Sequence, residues 1–184
     1  MPNEAYWESL VDPEGVLVAL GIDSTIADVV ELGCGYGTFS IPAARRIKGT
    51  LTTFDIEPEM VARTRARVQQ MGLHNVECVL RDVLHDGFGL PDASQDACLL
   101  FNILHTEEPV KLLAEAARVV RPNGEVYATH WRYDETTPRG PSLSIRPRPE
   151  DILRWAKDTC RLEPASAVIV LPPYHYGLRL RRLA

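Results

Sequence analysis

A chain of 184 residues is about one domain long, and its 45% hydrophobic and 24% charged content is that of an ordinary folded protein. A net charge of -5 argues against a nucleic-acid partner, although a local basic patch stays open. The opening MPNEAYWESLVDPEG lacks a basic stretch followed by an apolar core, and no apolar run reaches the ~20 residues that cross a bilayer, so a cytoplasmic location without a membrane span is expected.

In chain order, the stretch through GVLVALGID reads as one or two helices placed ahead of a sheet. ADVVEL, GTLTTFD and NVECVLRD are short and rich in β-branched residues, DACLLFNIL is a continuous apolar run, and EVYATHW follows. Uninterrupted apolar runs fit strands buried on both faces of a parallel sheet. Helical patterns lie between them. FSIPAARRI follows a glycine cluster; PEMVARTRARVQQMG carries Met60, Val61, Val68 and Met71 and closes on Gly72. PVKLLAEAARVVRPNG sets Val110, Leu112, Leu113, Ala116, Ala117 and Val120 on one face before a Pro-Asn-Gly stop. This rhythm predicts an open, doubly wound α/β fold with a mostly parallel sheet. RYDETTPRGPSLSIRPRP is a polar loop with four prolines and four arginines. Loops of that length in a compact domain are functional or disordered. PEDILRWAKDTC begins as a helix should, with proline and acids in its first turn. ASAVIVLPPYHYGLRLRR then reads as a closing antiparallel hairpin around PPYHYG. Cys34, Cys78, Cys98 and Cys160 are scattered without a C-x-x-C pair, so free thiols and no metal site are expected.

The segment VVELGCGYGTFS carries the most chemistry. It is not a dinucleotide fingerprint, because the third glycine falls at Gly37 and position 38 is Thr38; nor does a Gly-Lys-Ser/Thr follow, as a P-loop requires. Glu31 beside Gly33, Gly35 and Gly37 is a poor neighbour for a pyrophosphate, since like charges at ~4 Å repel by about 1 kcal/mol in water and more in a cleft. It suits a ligand that is cationic or rich in hydroxyl and ammonium donors.

These residues resemble the E/D-x-G-x-G-x-G motif of class I S-adenosylmethionine-dependent methyltransferases, and the order of later motifs resembles the small-molecule branch, in the manner of ubiquinone/menaquinone-type enzymes. The resemblance runs from about residue 27 to the C-terminus. It implies a seven-stranded Rossmann-like methyltransferase fold and a site for S-adenosylmethionine. In that family's pattern Glu31, Gly33, Gly35, Gly37 and Thr38 belong to the glycine loop. Asp55, eighteen residues past Gly37, corresponds to the ribose acceptor, with Ile56 beside it. Asp82 corresponds to the acid that meets the adenine amino group, with Val83 against the ring, and Asn102 and Ile103 border the cofactor. Bland readings stand beside these: Asp55 as a helix cap, Asp82 as a surface acid, Glu31 as a strand-end acid. The implied division of one domain over 1-184 is an N-terminal helical segment 1-26, a cofactor-binding core 27-132, and a lid loop, helix and closing hairpin 133-184.

Displacement at a sulfonium needs neither a metal nor a covalent intermediate; a base is required only if the nucleophile must lose a proton. Ligands of open α/β sheets lie beyond the carboxyl ends of the strands. That rule nominates His105 as a base, with a helix-entry or hydrogen-bonded structural histidine as its plainer alternative, and His130, Trp131, Arg132, Tyr174, His175 and Tyr176 as the acceptor pocket, with core packing at the sheet rim the plainer reading of His130 and Trp131 and a hairpin turn that of the PPYHYG residues. Arg132, Arg139, Arg146 and Arg148 either meet an anionic acceptor or pair with Asp134 and Glu135 in a solvated loop. The expected function is methyl transfer to a small molecule; a silent cofactor-binding homologue and a protein methyltransferase are the alternatives. Oligomeric state leaves no mark in the sequence.

Overall fold

The computed structural model describes residues 3–184. Two helices open the chain, α1 (Glu4–Glu8) and α2 (Pro13–Leu20). Asp12 caps α2 by accepting from the Gly15 N–H, Pro13 stands in its first turn and Gly21 ends it in a left-handed conformation. There follow β1 (Val29–Leu32), α3 (Ser40–Arg46), β2 (Leu51–Asp55), α4 (Pro58–Gln70), β3 (Val76–Leu80), α5 (Val83–Asp86), β4 (Gln95–Phe101), α6 (Pro109–Val119) and β5 (Val120–Trp131). The chain closes with α7 (Pro149–Thr159), β6 (Leu162–Pro164), β7 (Ile169–Leu171) and β8 (His175–Arg182).

The strands form one sheet in the order β3-β2-β1-β4-β5-β8-β6, with β7 also on β8. The first five are parallel; β8 runs antiparallel to β5, β6 and β7. The expected closing hairpin is β7–β8. The seventh position is shared: β6 pairs with the end of β8 and β7 with its start. The three-residue β6, LEP, gave no sequence signal of its own.

Adjacent residues on the central strands feed opposite cores, which explains their continuous apolar character. Val30 and Leu100 pack with Leu112, Leu113 and Ala116 of α6 and Ile152 of α7. Val29 and Leu99 pack with Leu17 and Leu20 of α2 and Ala43 of α3. Full burial of each valine, leucine or isoleucine among them is worth about 1.5–3 kcal/mol. Two expectations are corrected. Met71 is exposed beyond the end of α4, so its face closes at Val68. Val120 is not the last residue of a helix face but the first of β5, buried in the sheet instead.

The strand order reverses between β1 and β4. Beyond that switch point the carboxyl ends of two neighbouring strands deliver Gly33 and Asn102 to the same rim.

Candidate active site

A cleft of about 350 Å³ opens at this rim. Its floor is the turn after β1, in which Gly33, Gly35 and Gly37 have φ of 87°, 51° and 76°. A side chain is strained in that region, which is the reason for glycine here. Phe54 accepts from the amides of Gly33 and Cys34, and Thr64 of α4 donates its hydroxyl to the Gly35 carbonyl at 2.9 Å. Asp55, ending β2, reaches the same turn: one carboxylate oxygen accepts from the Gly35 N–H and the other from the Glu57 N–H, each at 3.0 Å.

Asn102 ends β4 with φ of 55°, an uncommon conformation outside glycine. Asn102 and Thr38 both line the cleft, and their side-chain polar atoms are buried without any partner. Buried polar groups left unpaired cost about 1–3 kcal/mol each, so these are groups that a bound ligand would satisfy.

Glu31 lies beneath the turn rather than on the cleft wall. It is buried, and its Oε2 accepts from Thr53 Oγ1 at 2.7 Å and Ser40 Oγ at 2.5 Å, which ties β1 to β2 and to the start of α3. Burial raises its pKa to about 7, the two hydroxyls oppose that rise, and the neighbouring Asp55 carboxylate adds to it.

The outer walls come from the two ends of the chain. Trp7 of α1 lines the cleft and meets the Trp131 ring at 6.2 Å between centroids. Arg67 of α4 secures α1, donating to Glu8 at 2.7 Å, Glu4 at 3.3 Å and the Tyr36 carbonyl at 3.1 Å. Opposite, Arg139 and Gly140 of the loop 132–148 complete the wall. Gly140 has φ of 121°, and a Cβ there would lie 2.9 Å from Trp131.

That loop is organised by Arg146, which is 7% exposed. Its guanidinium donates to the carbonyls of Arg132 (2.9 Å), Asp134 (3.2 Å), Arg139 (3.5 Å) and Pro141 (2.7 Å) and to the Thr137 hydroxyl (2.7 Å). Tyr176 donates its hydroxyl to the Pro147 carbonyl at 2.9 Å. The expected ion pairs with Asp134 and Glu135 are therefore corrected: among the described residues neither acid pairs with an arginine side chain, and the Asp134 carboxylate accepts from Thr136 instead. The loop carbonyls needed donors more than its acids needed cations, and a five-donor guanidinium answers that need.

Of the residues singled out from sequence, Gly33, Gly35, Thr38, Asp55, Asn102, Ile103, His105 and Trp131 line one cleft. Gly37 supports the turn from behind, and a Cβ on it would touch Thr64 at 3.4 Å. Others fall outside that wall. Ile56 is exposed, Asp82 caps α5 by accepting from the His85 N–H, and Val83 is buried in the core beside α6. Arg132 is exposed, Tyr174 stacks on Trp131, and His130, His175 and Tyr176 are buried behind the wall. Sequence reading missed Trp7, Glu57, Met60, Phe101 and Gly140 as cleft residues. Only the aromatic pair Tyr6-Trp7 in an otherwise polar start was a usable signal.

His105 sits in the turn after β4, and burial holds its pKa below the ordinary histidine range. Its Nδ1 is 3.3 Å from Nε2 of His130. Burial and the facing His105 push the His130 pKa down to about 3; burial, with Arg132 and Arg146 adding, pushes that of His175 down to about 4.

The sequence profile of the methyltransferase domain matches residues 29–124, from the first strand of this sheet to the turn within β5. The chain belongs to the methyltransferase domain family. The methyl donor of that family is S-adenosylmethionine. Over 136 residues the methyltransferase chain is 33% identical to the phosphatidylethanolamine N-methyltransferase of Cereibacter sphaeroides, covering 71% of this chain and 63% of that one. It is 29% identical over 102 residues to the demethylmenaquinone methyltransferase of Listeria monocytogenes, covering 54% of this chain and 42% of that one. The chain thus spans less than two thirds of these relatives. A solved methyltransferase from Aquifex aeolicus shares the fold with a TM-score of 0.84 at 24% identity, covering 98% of this chain and 94% of that one. The cleft residues fit the donor: a turn open to close approach, a strand-end carboxylate with Glu57 beside it, and buried groups awaiting partners.

Proposed function

We propose that this protein transfers a methyl group from S-adenosylmethionine to a small-molecule acceptor by direct displacement. The observation that carries the reading is the convergence of the glycine turn, the Asp55 carboxylate and the unpaired Thr38 and Asn102 at one switch-point cleft. When bound, the cofactor supplies a methyl group already activated on a positively charged sulfur. Asp55 keeps acceptor capacity beyond its two amide bonds and takes the ribose hydroxyls. The turn amides and Thr38 face the amino-acid end, and Asn102 and Ile103 border the remainder. Asp82 and Val83, which cap and pack α5, contribute by setting the rim rather than by lining the cleft.

The acceptor side is formed by Trp131, Trp7, Phe101, His105, Arg139 and Gly140. Enclosure by α1 on one side and the Arg146-centred loop on the other favours a small molecule over a folded protein as acceptor. These walls also exclude water and hold the reactants in line, which is where most of the acceleration of a displacement originates. His105 is the candidate base for an acceptor that must lose a proton. Among the described residues no helix is long and apolar enough to cross a membrane.

Calorimetric titration with S-adenosylmethionine and S-adenosylhomocysteine tests the reading, with micromolar binding of both expected. No binding of either by folded protein overturns it. Binding without release of S-adenosylhomocysteine across a broad acceptor panel assigns the chain to silent cofactor-binding homologues. Asp55→Ala should weaken binding by roughly 1–3 kcal/mol, the cost of lost charged-acceptor hydrogen bonds. Unchanged affinity in that variant removes Asp55 from the site.

A further inference from the structure

The arginines of this chain are nearly all engaged. Arg46, Arg67, Arg118 and Arg179 pair with acids, Arg146 donates to loop carbonyls, and Arg148 lies 4.0 Å over the Tyr133 ring. Among the described residues, only the guanidinium groups of Arg132 and Arg139 make no hydrogen bond, ion pair or ring contact. Of these two, Arg139 lines the cleft, and no other lysine or arginine does. Its backbone is held in place. Arg146 donates to the Arg139 carbonyl at 3.5 Å, and the next residue, Gly140, packs so closely that a Cβ would fall 2.8 Å from Arg146 Nη2 and 2.9 Å from the Trp131 ring. The acids of its own loop leave Arg139 alone: the Asp134 carboxylate accepts from the amide and hydroxyl of Thr136. The acids of the cleft, Asp55 and Glu57, stand at the end of β2, three places from β5 in the strand order, which is roughly 14 Å at the usual strand spacing. That separation exceeds the ~8 Å over which salt at physiological strength screens exposed charges. The cleft therefore has an acidic end and a cationic end, with Trp7, Phe101 and Trp131 as apolar surface.

We infer that Arg139 is a specificity residue that holds an anionic group of the acceptor, a carboxylate or a phosphate, while the acceptor's apolar body lies against Trp7, Phe101 and Trp131. On the methyl-transfer reading, on which this rests, the acidic end serves the donor and the cationic end is left to the acceptor. A guanidinium presents a planar fork of N–H donors that matches two oxygens of either anion. The donor works in the same direction. An anion brought beside a sulfonium is attracted to it, whereas a cationic acceptor is repelled by both the sulfonium and Arg139. Arg146 and Gly140 contribute by fixing the backbone, so that the one unengaged cation of the cleft stands at its rim in the free protein. Less order then has to be imposed when the acceptor arrives, and that preorganisation favours binding.

Four small probes of similar shape test the charge without knowledge of the acceptor: benzoate, phenyl phosphate, benzyl alcohol and benzylamine. Each is titrated at neutral pH into ¹⁵N-labelled protein, with and without S-adenosylhomocysteine, and followed at the Arg139 side-chain N–H signal, identified by its loss in Arg139→Gln. Benzoate or phenyl phosphate should bind at least tenfold more tightly than benzyl alcohol and should shift that signal; the tighter of the two anions says which group the acceptor carries. In Arg139→Gln, followed at the indole signals of Trp7 and Trp131, the preference should fall to within about threefold, and Arg139→Glu should turn it towards benzylamine. Arg139 is exposed, so these variants should fold as the wild type does. Equal binding of anions and alcohol by the wild type, including no detectable binding of any, overturns the inference. So does an anion preference that survives Arg139→Gln, or a wild type that prefers benzylamine. Binding of S-adenosylhomocysteine is read separately in the same samples: its absence removes the methyl-transfer reading, whereas its presence without an anion preference removes only the role of Arg139.

Discussion

Acidification from pH 7 to pH 4 should cost the protein roughly 3–4 kcal/mol of folding stability, a large share of the ~5–15 kcal/mol that domains have. The two wholly buried histidines drive the loss. His130 is held down to about 3 and His175 to about 4, against an ordinary value near 6.5. Between those limits the unfolded chain binds more protons than the folded one, so their contribution is complete above about pH 6.5 and drains away as pH falls. Glu31 acts with the opposite sign. Its folded value of about 7 stands above the ordinary 4.5, so the folded state holds that proton more tightly and gains stability as pH falls through the same window. Two histidines outweigh one carboxyl at about 1.4 kcal/mol per pKa unit each. Below about pH 4.5 the carboxyl's compensation ends and the histidines act alone. Urea melts from pH 8 to pH 4 measure the curve. His175→Phe should flatten its acid side, and should hold stability at pH 7.5, because both ring nitrogens of His175 lack partners and an apolar ring loses no hydrogen bond. A flat curve in the wild type would mean that one of these rings is solvated.

Replacing Arg146 with methionine should open the loop 132–148 and cost about 3 kcal/mol or more, since hydrogen bonds to a charged group are worth ~1.5–3 kcal/mol each and do not add fully. Four carbonyls and a hydroxyl would lose their donor at once. Arg146→Lys should behave almost as badly: an ammonium has three donors on one atom and cannot span oxygens arranged for a planar fork. Trypsin cleavage at Arg132 or Arg139 should speed up at least tenfold in both variants, the tenfold being about 1.4 kcal/mol of local opening. Cofactor affinity should fall as well, because Arg139 and Gly140 form one wall of the cleft. A lysine variant with wild-type proteolysis and affinity would show that the charge alone organises the loop.

What could be read from the chain itself was the part encoded in neighbouring residues. Apolar runs of strand length alternating with helical spacing gave the α/β order, and the burial of Val29 and Val30 on opposite faces shows why the runs were continuous. The turn of Gly33, Gly35 and Gly37 and the strand-end acid Asp55 could be located because a left-handed backbone demands glycine and a strand end follows from spacing along the chain. The short strand β6 and the helix α5 were not, being too brief for any periodicity to develop. Partners were another matter. Glu31 was expected at the ligand and lies beneath the glycine turn, toward Ser40 and Thr53; Arg146 was expected on an acid and bound carbonyls; His130 was expected in the pocket and stands behind His105. Trp7 reaches the cleft on a helix tied down by Arg67, some sixty residues on, and through its ring contact with Trp131. The sequence alone determined the fold class, the family and the backbone of the glycine turn. Tertiary structure alone decided which polar groups lose water and which find each other, because desolvation and hydrogen-bond geometry are set by elements remote in the chain that folding brings into contact.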